Sequence, residues 1–265
     1  MRDGVKRSRF LEDLRSIGLL SANFLLRHLT VGFIAAGLTY LFWLSRPQWV
    51  DEMRFWRAVG DSSFILLFLT LAIGPLVKLW PSVSSVIPWR REMGIWYGLL
   101  AIGHTLLILD GWVRWDFMRF FGYEFLPALE RYARLEPGFG LSNAIGMTAV
   151  AGSLLLMATS SNLAVNLLGP SAWKWLQNSA YVVFYLVALH TFYFLFMHYT
   201  VSFHRPVPDE ANWFSYPFLA LVAAIPILQA SAYVKIVMKR ARTPEKAEKR
   251  RSKRRGTKEA SKAGI

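Results

Sequence analysis

Residues 90–109, RREMGIWYGLLAIGHTLLIL, open on two arginines and then stay apolar for the length of a helix that crosses a bilayer. One ionisable side chain, His104, lies well inside that run. Several further runs of 16 to 22 apolar residues recur along the chain. In lipid each must satisfy its own backbone hydrogen bonds, so each reads as a helix and the chain as an all-α, polytopic membrane protein. The composition agrees, with 54% hydrophobic and 15% aromatic residues in 265.

The predicted spans are 28–44, 62–79, 93–109, 141–158, 178–199 and 213–234, forming one domain over residues 28–238. Residues 1–27 are basic and lack the apolar core and small-residue cleavage site of a signal peptide, which predicts a cytoplasmic lead-in. The mixed-charge stretch 46–61 reads as a short loop. Gly74-Pro75 is expected to kink the end of the second span. Residues 110–137 mix aromatic and charged side chains and are expected to lie along the membrane surface. A polar link through Ser160, Asn162, Pro170 and Lys174 joins the fourth and fifth spans, and 201–212 form another loop. No internal repeat is evident.

The net charge of +14 resembles a nucleic-acid signal. From Lys235 onward, however, 13 Lys and Arg face 3 Glu, so this tail alone carries +10. It reads as a disordered anchor against anionic lipid over 239–265, with no nucleic-acid partner. The Lys and Arg excess in the N-terminal segment, in the link from Lys78 to Arg91, at Lys174 and in the tail places both termini in the cytoplasm. Cysteine is absent. Disulfides, iron–sulfur clusters and thiolate-ligated metals are therefore excluded.

A second intramembrane histidine, His190, lies in the fifth span, and an ionisable residue there is a functional-site candidate by default. His104 stands 13 residues after Arg91 and His190 13 after Gln177, so each is about 20 Å along its helix at 1.5 Å per residue. Matched depth on two helices suits the two axial ligands of one haem iron. The competing reading has each imidazole bonding a neighbouring carbonyl or hydroxyl, for example from Thr105 or Thr191, and joining helices. Zinc would need further ligands, and no carboxylate stands at that level.

His198 lies about 12 Å beyond His190 and roughly 80° round an α-helix. It reads either as an interfacial histidine or as a partner for haem propionates or an outer electron acceptor. His204 and His28 read as solvated structural residues. Arg90 and Arg91 suit propionate, flavin phosphate or quinone oxygens, although topology alone also calls for positive charge there. No residue is assigned a catalytic role.

Two strings carry a resemblance. Arg90-Arg91-x-x-Gly94-x-Trp96 leading to His104 resembles the third-helix signature of the ferric reductase-like transmembrane domain family. Trp173-Lys174-Trp175-Leu176-Gln177-Asn178-x-x-Tyr181 leading to His190 looks like the Trp-x-x-Leu-His-Asn-x-x-Tyr string of its membership nearest this chain, the haem-binding membrane subunits of periplasmic methionine sulfoxide reductase systems. The resemblance implies a six-helix b-type cytochrome of a bacterial inner membrane. It would be the electron-transfer subunit of an oxidoreductase, taking electrons from a cytoplasmic flavin reductase or membrane quinone and passing them to a periplasmic acceptor.

Larger family members use two histidines on each of two helices to hold two haems. This chain has Arg91 and Gln177 at the inner positions. One haem b is therefore expected, on His104 and His190, with FMN or a quinone as a further candidate near Arg90, Arg91 and Gln177. The alternative is a non-redox scaffold, assembly subunit or transporter built on the same bundle.

Overall fold

The computed structural model describes residues 22–134, 138–198 and 212–263. The rest of the basic N-terminal segment and the loop holding His204 lie outside the described residues. The long helices are α1 (Ala22–Leu44), α2 (Asp51–Leu79) and α3 (Trp89–Leu107). After a short α4 (Phe117–Phe120) come α5 (Phe139–Ala158), α6 (Asn162–Leu168), α7 (Pro170–Asn178), α8 (Ala180–Phe192) and α9 (Ser215–Ala263). Among the described residues six helical segments are long and apolar enough to cross a membrane.

α2 is the hub. Half of its most apolar window is buried, against 11–28% in the other five segments, and α1, α3, α8 and α9 all pack on it. Phe64 of α2 stacks on Phe184 of α8 at 5.7 Å and meets Phe218 of α9 at 4.9 Å. Lipid is as apolar as these rings, so close packing holds such a bundle together more than withdrawal from water does. Small side chains accordingly occupy its interior, among them Ser62, Ser63, Ser142 and Ser153. Large apolar residues such as Phe33, Leu167 and Tyr216 face outward, where hydrocarbon would meet them.

Several expected boundaries move. α2 begins at Asp51, so most of the expected loop 46–61 is helix. Asp51 and Glu52 occupy its first turn, where carboxylates favour the helix dipole, and Asp51 pairs with Arg54 at 2.7 Å. The helix continues through Pro75 to Leu79. The polar link before the fifth span contains α6 and α7, and the membrane-length segment runs from Pro170 to Met197.

Between α3 and α5 the connection forms a hairpin, Tyr123–Leu126 paired antiparallel with Arg131–Arg134. The tail expected to be disordered continues α9 as helix to Ala263. Ala, Glu, Lys and Arg dominate it, all strong helix formers, and a preceding helix removes the nucleation cost.

Phe64→Ala should cost about 3 kcal/mol of stability, whereas Phe33→Ala on the lipid-facing surface should stay within about 0.5 kcal/mol. Thermal unfolding of the two variants in detergent measures the difference.

Candidate functional site

His104 on α3 places Nδ1 2.9 Å from the backbone oxygen of Trp56 on α2. His190 on α8 places Nδ1 2.8 Å from the backbone oxygen of Ser142 on α5. A carbonyl oxygen only accepts, so Nδ1 carries the proton in each neutral ring and Nε2 keeps its lone pair. No hydrogen bond among the described residues engages Nε2 of either ring. The contacts of the competing reading are met: both rings bond carbonyls of neighbouring helices. Thr105 takes no part, since its hydroxyl donates to Ala101 O at 2.8 Å.

The two helix pairs solve the same packing problem in the same way. Four residues after each accepting carbonyl stands a glycine, Gly60 after Trp56 and Gly146 after Ser142. A Cβ at Gly60 would lie 3.0 Å from His104 Cε1, and one at Gly146 2.6 Å from His190 Nδ1. Each imidazole thus lies where a side chain would otherwise be. Each histidine helix then widens into a π-turn within four residues, Ile108–Val113 after His104 and Tyr193–Met197 after His190.

Between the two pairs lies a cavity of ≈ 210 Å³, lined by His104, His190 and His198. Both π-turns supply wall residues, including Trp112 and Phe194, and Tyr97, Asn143 and Val187 add to it. His198 sits against the rings of Phe139 and Phe194 at 5.5 and 5.3 Å. An α-helical projection turns it away from His190, but the π-turn adds a residue to the intervening helix and brings it onto the same wall.

The residues expected at an inner cofactor position each have separate partners. Arg90 Nε donates to Thr70 O at 3.0 Å. The Arg91 guanidinium lies 5.3 Å from the centre of the Phe24 ring, with its Nε buried and without a hydrogen-bond partner. Gln177 Nε2 donates to Leu156 O and Thr159 Oγ1 at 3.3 and 3.1 Å, at the end of α5. None of the three lines the cavity.

Sequence reasoning missed Arg57 and Asp61, which do line it. Their signal was present, as ionisable residues beside an apolar run, but they were assigned to a loop. His28, expected to be solvated, instead packs edge-on against Phe24 at 4.2 Å, with its Nε2 buried and without a hydrogen-bond partner.

This geometry defines a class, a polytopic helical membrane protein with a two-histidine cavity between its helices. No family model matches the chain, and no solved structure does. Among curated proteins it is similar to the Magnetosome protein MamZ of Paramagnetospirillum magneticum, with 27% identity over 134 residues. That match covers 51% of this chain and 19% of MamZ, so the similarity concerns about a fifth of that relative's length.

Gly146→Ala should break the bond between His190 and Ser142, and Gly60→Ala should perturb His104 less, following the 2.6 and 3.0 Å approaches. Imidazole nitrogen shifts in protein carrying 15N-histidine report both changes.

Proposed function

We propose that the protein is a membrane b-type cytochrome holding one haem between Nε2 of His104 and Nε2 of His190. Its role is to relay single electrons from a cytoplasmic flavin or quinol donor to an acceptor reductase on the outer side. The observation that carries the reading is the pairing of two imidazoles, each with its proton committed at Nδ1, across one intramembrane cavity. Orientation of metal-binding histidines by a carbonyl at the second nitrogen is the usual arrangement. Haem bound there would supply a one-electron iron couple.

The chain's contribution is ligation by two uncharged rings and shelter from water behind apolar and aromatic walls. Neutral ligands suit a membrane interior, where each additional uncompensated charge is costly. Among the described residues no group of three His, Cys, Asp or Glu side chains is close enough to hold a metal ion, which favours a two-ligand porphyrin over zinc. Donor, acceptor and a bacterial inner-membrane location rest on the resemblance of the two helix signatures. An FMN or quinone near Arg90, Arg91 and Gln177 has less support, because none of the three lines the cavity and Arg90 and Gln177 bond the backbones of neighbouring helices.

The test is the absorption spectrum of purified protein before and after dithionite, with haem quantified per chain. A shifting Soret band with sharp low-spin bands and one haem per chain is expected. His104→Ala and His190→Ala should each abolish haem retention, and His198→Ala should leave most of it. Equal haem content in all three variants would overturn the ligand assignment. A folded, monodisperse protein without haem would favour a non-redox scaffold, assembly subunit or transporter.

A further inference from the structure

Two residues of opposite charge, Arg57 and Asp61, stand on α2 and both line the histidine cavity. Each follows directly on a residue that touches His104. Arg57 comes after Trp56, whose backbone oxygen lies 2.9 Å from His104 Nδ1. Asp61 comes after Gly60, where an added Cβ would lie 3.0 Å from His104 Cε1. Positions 57, 60 and 61 share one face of a helix, so both charges flank the surface on which this imidazole rests.

Asp61 is held through one oxygen only. Arg46 Nη2 donates to its Oδ2 at 2.5 Å, and Oδ1 makes no hydrogen bond among the described residues. Oδ1 is not one of the enclosed polar atoms, and Asp61 lines the wall, so the carboxylate opens onto the cavity through that oxygen. Arg46 is fully buried and lines no part of the cavity. The pair thus turns its negative end inward.

The rings of Phe42, Trp49 and Trp213 enclose the Arg46 guanidinium at 5.2 to 5.9 Å. A guanidinium keeps its proton, and a neutral Asp61 would leave it buried without a countercharge. Asp61 is therefore ionised. Fastening Arg46 occupies Oδ2 alone, which leaves a carboxylate oxygen and the Arg57 guanidinium on the wall of a cavity that also holds two uncharged imidazoles.

Reduction of a haem iron adds one electron and breaks no bond. A carboxylate nearby opposes the added charge, and a guanidinium favours it. At a separation on the order of 10 Å and an effective dielectric constant of about 20, one unit charge moves such an equilibrium about tenfold or more.

We propose that Asp61 and Arg57 set the reduction potential of the haem from opposite sides, Asp61 lowering it and Arg57 raising it. The inference rests on the cytochrome reading. Neither residue ligates the iron; each acts through its charge at the cavity wall.

The experiment is a potentiometric titration of the haem-loaded protein in detergent at one fixed pH, followed by absorption. Asp61→Asn keeps an oxygen for Arg46 and removes the charge. It should favour the reduced form at least about tenfold, a rise of about 59 mV for one electron. Arg57→Gln should lower the potential by a similar amount, and Arg57→Lys, which keeps the charge, should stay near the unmodified protein. Low-spin bands in each variant report that both histidines remain bound.

Residues that only fasten helices would change the unfolding temperature and leave the potential where it was. Potentials that do not move, or that move in the same direction in Asp61→Asn and Arg57→Gln, overturn the inference and leave the cytochrome reading standing. If Asp61→Asn fails to fold, the Arg57 pair decides: equal potentials in Arg57→Gln and Arg57→Lys overturn the role of charge. Absence of haem from the folded, unmodified protein overturns the cytochrome reading and this inference with it.

Discussion

The bond from imidazole Nδ1 to a helix carbonyl, made once by His104 and once by His190, is the contact on which the rest of the site depends. In a medium without water an imidazole must place its proton on something. Where it does so decides which nitrogen is left to bind a ligand. The accepting carbonyls belong to helices and are already bonded along their own backbone, so the ring must reach them from the side. Glycine makes that approach possible. In an α-helix the carbonyl of residue i accepts from residue i+4, and a side chain at i+4 shields the carbonyl's flank. Gly60 and Gly146 stand at those positions relative to Trp56 and Ser142, and the rings occupy the space their side chains would take.

The π-turns complete the arrangement. A regular α-helix beyond His104 or His190 would carry the next residues round at 100° each. Widening by one residue redirects Trp112 on one side, and Phe194 and His198 on the other, onto the cavity. Insertions of this kind are often found at functional sites, because they trade helix regularity for a side chain aimed elsewhere. Here the same exchange occurs on both histidine helices at nearly the same distance from the histidine. Two helix pairs with no evident sequence repeat thereby build matching halves of one site.

Hydropathy made the six spans legible, and the cost of an ionisable group in lipid made His104 and His190 legible. The boundary of α2 was not. Asp51, Glu52, Arg54, Arg57 and Asp61 have the composition of a surface loop, yet they form the first turns of the most buried helix. That shift of about ten residues concealed half of the site, because Trp56, Arg57, Gly60 and Asp61 all lie in it. Charges at a helix start read as loop when they are counted, and as helix when their sequence is considered, acids first and arginines a turn later. The π-turns left no comparable trace, since local sequence does not distinguish one extra residue per turn. Nor could spacing alone show that Gln177 and Arg90 serve the ends and backbones of neighbouring helices.

The position of the site within the bundle follows from α2 being its hub. Trp56 supplies a carbonyl, Gly60 the space beside it, and Asp61 a buried carboxylate, within six consecutive residues of one helix. A charge buried in hydrocarbon is tolerable only where several elements converge to satisfy it. Asp61 meets that condition: Arg46 arrives from the chain just beyond α1, and Asn212 from the chain before α9. The same convergence encloses the Arg46 guanidinium among the rings of Phe42, Trp49 and Trp213, and of the three polar residues only Asp61 lines the cavity. The other buried carboxylate among the described residues, Glu92, is held in the same way, paired with Arg27 at 2.9 Å through one oxygen while its second oxygen is buried without a partner, so in this bundle one ion-pair contact suffices to keep a carboxylate inside.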